Sequence, residues 1–173
     1  MKRIVVIGTS CTGKTTFSSK LASSLNIEHI ELDSIYWKEN WQPTDDEIFV
    51  PKVKKRIDKD EWLVEGNYKV VRDLVWSKAT DIIWLNFPFY IVFFRCLSRT
   101  IKRIISKEKV YADNVETFRK AFFSKDSIIL WTIQTYKMRK RVYGNAFREK
   151  KYTNLTYHKV NNPKQAKKLI YKI

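Results

Sequence analysis

Glycine is scarce in this chain. There are four glycines among 173 residues, which leaves no room for a Gly/Ser linker. Cysteine is scarcer still, with only Cys11 and Cys96. They show neither metal-site spacing nor a disulfide framework, and a reducing, cytoplasmic setting is the simple reading. The two histidines, His29 and His158, sit in strand-like runs without a partner pattern and read as structural. No Ser-His-Asp, zinc or Rossmann pattern is present. Long apolar runs are missing too. A membrane span needs about 20 apolar residues, and the most apolar stretch, Ile82 to Phe94, is broken by Asn86 and Pro88. The opening Met1-Lys2-Arg3 leads straight into a short strand and lacks signal-peptide shape. One domain with a real core is expected at this length.

Acidic charge is missing from one half only. Residues 1–90 carry 13 Lys/Arg and 13 Asp/Glu, whereas residues 91–173 carry 21 against 5. The whole net charge of +16 therefore belongs to the second half. A solvated lysine-rich surface is one reading of that excess. Nucleic-acid binding is the sharper one, with Lys137, Arg139, Lys140, Arg141, Arg148, Lys150 and Lys151 as its residues.

Two of the few glycines fall where chemistry needs them. Gly8-Thr9-Ser10-Cys11-Thr12-Gly13-Lys14-Thr15 has the phosphate-loop form G-x-x-x-x-G-K-[ST]. Arg3 to Ile7 before it reads as a buried strand. Thr16 to Leu25 after it reads as a helix with Phe17, Leu21 and Leu25 on one stripe. That context is the one the motif requires. Backbone N–H groups and the helix N-terminus meet a polyphosphate there. Lys14 can reach the β- and γ-phosphates of ATP, and the Thr15 hydroxyl can ligate Mg²⁺. Cys11 holds a variable position and reads as a filler, although a thiol there can also be reactive.

The rest of the chain alternates strand and helix. Strands are expected at Ile27 to Leu32, Trp62 to Val64, Asp81 to Leu85 and Leu155 to Val160. Thr44-Asp45-Asp46-Glu47 has capping-box form and predicts a helix start, with Pro51 kinking that helix or marking its true beginning. Pro88 opens a long helix to about Ser106. A second runs from Val115 to about Tyr143, near Gly144, and a last one follows Pro163. Repeated β-α units imply an α/β fold, a parallel sheet with helices on both faces. Ligands in such sheets bind at the carboxyl ends of strands, where Asp33, Glu65 and Asn86 are expected.

Glu65 follows Trp62-Leu63-Val64 and is the favoured holder of Mg²⁺ through water. Asp33 either holds Mg²⁺ through water or accepts a proton from a substrate hydroxyl; a turn carboxylate is its plain alternative. Arg95, Arg99 and Arg103 recur every four residues; such a face suits phosphate at Arg95 and Arg99, whereas Arg103 also reads as part of a solvated face. Ile91, Phe94, Leu97, Ile101, Ile104 and Ile105 are expected to cover the core. Tyr36, Trp37, Trp41 and Tyr68 either stack on a flat ring or pack the core.

With these residues in place, the chain resembles small P-loop kinases of the nucleoside-monophosphate-kinase type. More narrowly, it resembles the bacterial adenylate-kinase-related family known as DNA topology modulation protein FlaR. The likeness rests on Gly8 to Thr15, Leu32-Asp33-Ser34-Ile35-Tyr36-Trp37, Trp62 to Tyr68, Ile83 to Pro88, Arg95 and Arg99. It implies a five-stranded P-loop NTPase sheet with a helical lid near Lys102 to Phe123. It implies ATP held by Gly8, Ser10, Cys11, Thr12, Gly13, Lys14, Thr15 and Thr16. Arg95 would lie against the adenine, Asn161 at its edge, and Arg99 on the phosphates. Lys14, Asp33 and Arg99 would be catalytic, and Asp33, Trp37, Tyr68 and Arg72 would face the acceptor. Two departures stand out: Glu65 and Asn86 replace the usual Asp. The run Asn67-Tyr68-Lys69 also replaces the Phe-Pro-Arg that binds acceptor nucleotide, so AMP does not follow as acceptor. The expected activity is phosphoryl transfer from Mg·ATP to a small nucleotide-like or hydroxyl-bearing acceptor. The alternatives are a nucleotide-switched DNA-binding regulator and a slow ATPase.

Overall fold

Strand β1, Arg3–Gly8, is buried almost throughout, as its continuous apolar run demands of a central parallel strand. The computed structural model describes residues 1–107, 109–115 and 127–173. β1 lies between β3, Trp62–Glu65, and β4, Asp81–Leu85, parallel to both. β2, Glu28–Glu31, pairs beyond β3, and β7, Thr156–Val160, pairs beyond β4. The sheet order is β2-β3-β1-β4-β7. The order reverses across β1, so the loop after it opens at the switch point where such sheets bind ligands.

Alternation along the strands makes two cores. Val5, Ile7, Ile30, Val64, Ile82 and Trp84 face one side. There they meet α3 (Asp46–Arg56), α4 (Lys69–Lys78) and Tyr143 of α6 (Ile128–Glu149). Ile4, Val6, Leu63, Ile83 and Leu85 face the other side. They meet Leu21 of α1 (Lys14–Leu25), Val92 of α5 (Phe89–Ser106) and Ala166 of α7 (Pro163–Ile170). Each fully buried aliphatic side chain contributes about 1.5–3 kcal/mol, so both faces lock the strand ends in place.

Several elements differ from the sequence reading. β2 stops at Glu31, and Asp33 lies inside a short helix, α2, Leu32–Tyr36. The capping box at Thr44 does not form. Thr44 instead donates to the Ile35 carbonyl, and α3 starts from Asp45 and continues through Pro51. Val115 does not begin a helix. Asn114–Val115 (β6) pairs antiparallel with Lys109–Val110 (β5). The long helix that follows is seen from Ile128, where the Ser127 hydroxyl accepts from the Leu130 N–H. It passes through Gly144, against which Trp84 packs, and ends at Lys150 in a left-handed conformation with φ 45°. Gly144 is thus a packing glycine and not a helix stop. On α5 the core face is Val92, Cys96 and Thr100. Phe94, Ile101 and Ile105 are exposed and do not cover the core, Ile105 at 78%. The lid expected over 102–123 lies partly outside the described residues. Its described part ends α5 and forms the β5–β6 hairpin.

Candidate active site

The loop after β1 is shaped by two left-handed residues. Gly13 has φ 87°, a conformation glycine adopts freely. Cys11 has φ 63°, which costs a side-chain-bearing residue of order 1 kcal/mol. A methyl group on Gly8 would strike the Thr12 hydroxyl at 2.9 Å and approach the Leu85 carbonyl at 3.1 Å, so strand and loop meet here without room for a side chain. The Thr9 carbonyl gathers the loop's donors. It accepts from the Thr12 hydroxyl at 2.9 Å and from Lys14 Nζ at 3.2 Å. Ser10 and Thr16 flank this turn.

Thr15 opens α1 and donates to Glu65 Oε1 at 2.7 Å. Glu65 ends β3 and is buried at 4% exposure. Burial works to raise its pKa. The hydrogen bond from His29, the Lys14 charge and the Thr15 hydroxyl together outweigh burial and hold the carboxylate below its ordinary range. His29 Nε2 stands 3.2 Å from Glu65 Oε2, and its Nδ1 stands 3.9 Å from Glu31 Oε1. His29 is therefore not a plain core residue. His158 has a carboxylate partner too, Asp81 at 2.8 Å.

α5 brings its arginines to the same end of the sheet. Arg95 Nη1 donates to the Thr12 carbonyl at 2.7 Å, and its guanidinium lies over the Phe87 ring at 5.3 Å. Arg99 Nε is buried and has no hydrogen-bond partner among the described residues. Such an orphaned cationic donor is costly unless an anion meets it. Cys11 hydrogen-bonds with Cys96. That bond, working against burial, with Arg99, Thr132 and Lys14 nearby, lowers the Cys11 pKa to about 7. The Cys96 thiol is pushed up by the same bond and by burial. Asn161 accepts from Asn86 Nδ2 at 2.8 Å, which joins the ends of β4 and β7.

On the other flank the sequence-predicted residues divide. Tyr68 donates a short hydrogen bond to Asp33 Oδ1. Tyr36 packs on Tyr68 at 4.4 Å and on Trp37 at 5.0 Å. Asp33, Trp37 and Tyr68 thus form one wall. Arg72 lines a cleft with Tyr68, but its Nε donates to Asn67 and its guanidinium lies over Trp76 at 5.7 Å. Sequence reasoning missed Glu31, Tyr111 and Asn114. Tyr111 donates to Glu31 Oε2 at 3.2 Å. Asn114 accepts from the Trp41 N–H and donates to the Lys38 carbonyl, both at 3.0 Å, and so fastens the β5–β6 hairpin over this flank. The His29-x-Glu31 alternation in β2 was the one local signal, since it puts both side chains on one face.

The five-stranded parallel sheet, the phosphate loop at its centre and the helix that follows define an α/β P-loop fold. Solved structures share it. A gluconokinase from Sinorhizobium meliloti 1021 matches with a TM-score of 0.54 at 15% identity, over 99% of this chain and 92% of its own. A sugar kinase from Janibacter sp. HTCC2649 matches with a TM-score of 0.54 at 16% identity, over 99% and 91%. Likeness at these identities is one of fold. No protein-family model matches the sequence, and the search of curated proteins gives no match.

Proposed function

We propose that the chain is a Mg²⁺-dependent kinase that transfers the γ-phosphoryl group of ATP to a hydroxyl of a small molecule. The observation that carries this reading is the Thr15–Glu65 hydrogen bond at 2.7 Å beside Lys14, at the mouth of the phosphate loop. A hydroxyl backed by a buried, ionised carboxylate suits a hard divalent ion. Thr15 would hold Mg²⁺ directly and Glu65 through water, with Asp33 as the alternative holder. When bound, the ion neutralises charge on the β- and γ-phosphates.

The protein's own groups do the remaining work. Lys14 exchanges the Thr9 carbonyl for phosphate oxygens. Gly8, Gly13 and the loop between them present backbone N–H groups. Arg99, whose Nε lacks a partner, meets charge on the transferred group. Arg95 and Asn161 face the base. Asp33 orients the acceptor hydroxyl and takes its proton as the acceptor oxygen bonds to phosphorus and ADP departs. Tyr68 occupies one carboxylate oxygen of Asp33 and so fixes its direction. Trp37 and Arg72 complete the acceptor side of the proposal. Closure by the segment around 102–123 excludes water, so that phosphate reaches the acceptor and not solvent.

Kinship with the FlaR-type family belongs to the same proposal. The segments Leu32 to Trp37 and Gly66 to Tyr68 support it, because they meet through the Tyr68–Asp33 bond. A cytoplasmic setting is supported by the two free thiols. No helix among the described residues is long and apolar enough to cross a membrane. The two solved structures are kinases and lend no support to nucleic-acid binding. ADP release from Mg·ATP, measured with and without a panel of hydroxyl compounds, tests the proposal. Release that depends on an acceptor and disappears in Lys14→Ala supports it. Release that no acceptor stimulates points to a slow ATPase and overturns transfer.

A further inference from the structure

The charge around the acceptor flank bears on what the acceptor is. This inference rests on the kinase reading and specifies the substrate class of that same site. Glu31 and Glu65 are register partners on adjacent parallel strands, so their side chains leave the sheet on one face. Asp33 stands two residues further on, in the first turn of α2. Tyr111, carried across by the Asn114-anchored hairpin, donates to Glu31. The Tyr111 hydroxyl is raised above its ordinary pKa by burial and then by the charges of Asp33, Glu31 and Glu65. Glu31, Asp33 and Glu65 thus gather at one end of the sheet, with the Tyr111 hydroxyl on Glu31.

Among the described lysines and arginines nearby, Lys14 bears on this group through its charge at Glu65, and the rest are engaged otherwise. His29 lies between Glu31 and Glu65. Lys38 pairs with Asp45. Arg72 faces Asn67 and Trp76. Lys14 stays with the phosphate loop. Among the described residues no lysine or arginine forms an ion pair with Glu31, Asp33 or Glu65. The rest of the wall is aromatic: Tyr36, Trp37 and Tyr68.

We propose that the acceptor is a hydroxyl compound without an anionic group, a neutral polyol or an amino alcohol. Glu31 and Tyr111 are then specificity-determining residues that reject phosphate- and carboxylate-bearing compounds. A phosphate or carboxylate placed beside Glu31, which takes no part in the proposed Mg²⁺ site, meets like charge in a half-buried position, where water screens it poorly. Hydroxyls find carboxylate and phenol partners. An amine finds carboxylates and ring faces, which attract cations.

The test compares kcat/KM for polyols, amino alcohols, a sugar acid such as gluconate, and nucleoside monophosphates, with formation of the phosphorylated product as readout. The inference predicts at least a hundredfold preference for the uncharged or cationic compounds, and the two arms separate polyol from amine. In Glu31→Gln, a near-isosteric change, that preference should fall at least tenfold. In Tyr111→Phe it should fall less. Raising the salt concentration should narrow it in the wild type. A merely structural role for Glu31 would lower all acceptors together. An anionic acceptor used best overturns this inference and leaves the kinase reading standing. No phosphorylated product from any compound overturns the kinase reading and this inference with it.

Discussion

The two flanks of Thr15 differ in charge and in how they are built. On the nucleotide flank the groups are cationic: Lys14, Arg95 and Arg99, with backbone donors of the loop. On the acceptor flank they are carboxylates and rings: Glu31, Asp33, Glu65, Tyr68 and Tyr111. The first flank rests on a motif of eight consecutive residues, to which α5 adds one helix face, Arg95 meeting Thr12 from 83 residues away. The second is assembled across the chain. Tyr111 meets Glu31 from 80 residues away, and Asn114 meets Trp41 from 73. A loop of this kind can thus be written as a motif, whereas the carboxylate-and-ring flank depends on the fold.

The strongest way to break this division is at Lys14. Lys14→Ala should lower transfer by about 10²–10³-fold, the usual cost of one charge-stabilising donor. Its thermal midpoint should stay near the wild type, since Lys14 holds only a loop carbonyl. On the acceptor flank, Asp33→Asn should lower kcat by about 10²-fold, in the range of general-base contributions. ATP affinity by calorimetry should be unchanged. Loss of ATP affinity in Asp33→Asn would show that the two flanks are not separate.

Glu65 stands between the flanks and should register in stability. Glu65→Gln removes a buried acceptor shared by Thr15 and His29, a loss of about 1–3 kcal/mol at pH 7. The folded carboxyl lies below its ordinary value of 4.5. Its stabilisation is therefore present above pH 4.5 and fades as pH falls through the lower folded value. Urea denaturation of wild type and variant should converge on acidification. A gap that stays constant with pH would contradict the charge assignment. The smallest effect should appear at the thiols. Cys11 should become alkylated as pH rises through about 7, and saturating Mg·ATP should slow that reaction. Cys96, fully buried and shifted up, should stay unmodified by mass spectrometry.

Legibility followed the same division. The phosphate loop, the five strands and the helices after Gly13, Pro88 and Asn162 were readable because they rest on contiguous patterns, whereas the helix Lys69–Lys78 was not named in advance. Glu65 was readable because an apolar run ends on it. The partners of His29 were not readable, since Glu65 and Glu31 become its neighbours only when β2 pairs with β3. Asp33 was expected at a strand end but lies in a helix, because the Leu32–Tyr36 turn closes on itself through Asp33 O and the Trp37 N–H. Gly144 was taken as a stop, yet helix α6 runs through it where Trp84 packs. The exposed face of α5 was taken for core because an apolar stripe does not state which side the sheet lies on.

Transfer, and not hydrolysis, is the central claim, and the fate of the γ-phosphate tests it most directly. ATP labelled at that position, Mg²⁺ and the acceptor panel should give label in an organic phosphate, with little free inorganic phosphate, and at most about a hundredth of that label with Lys14→Ala. Label found only as inorganic phosphate across the whole panel would contradict the account.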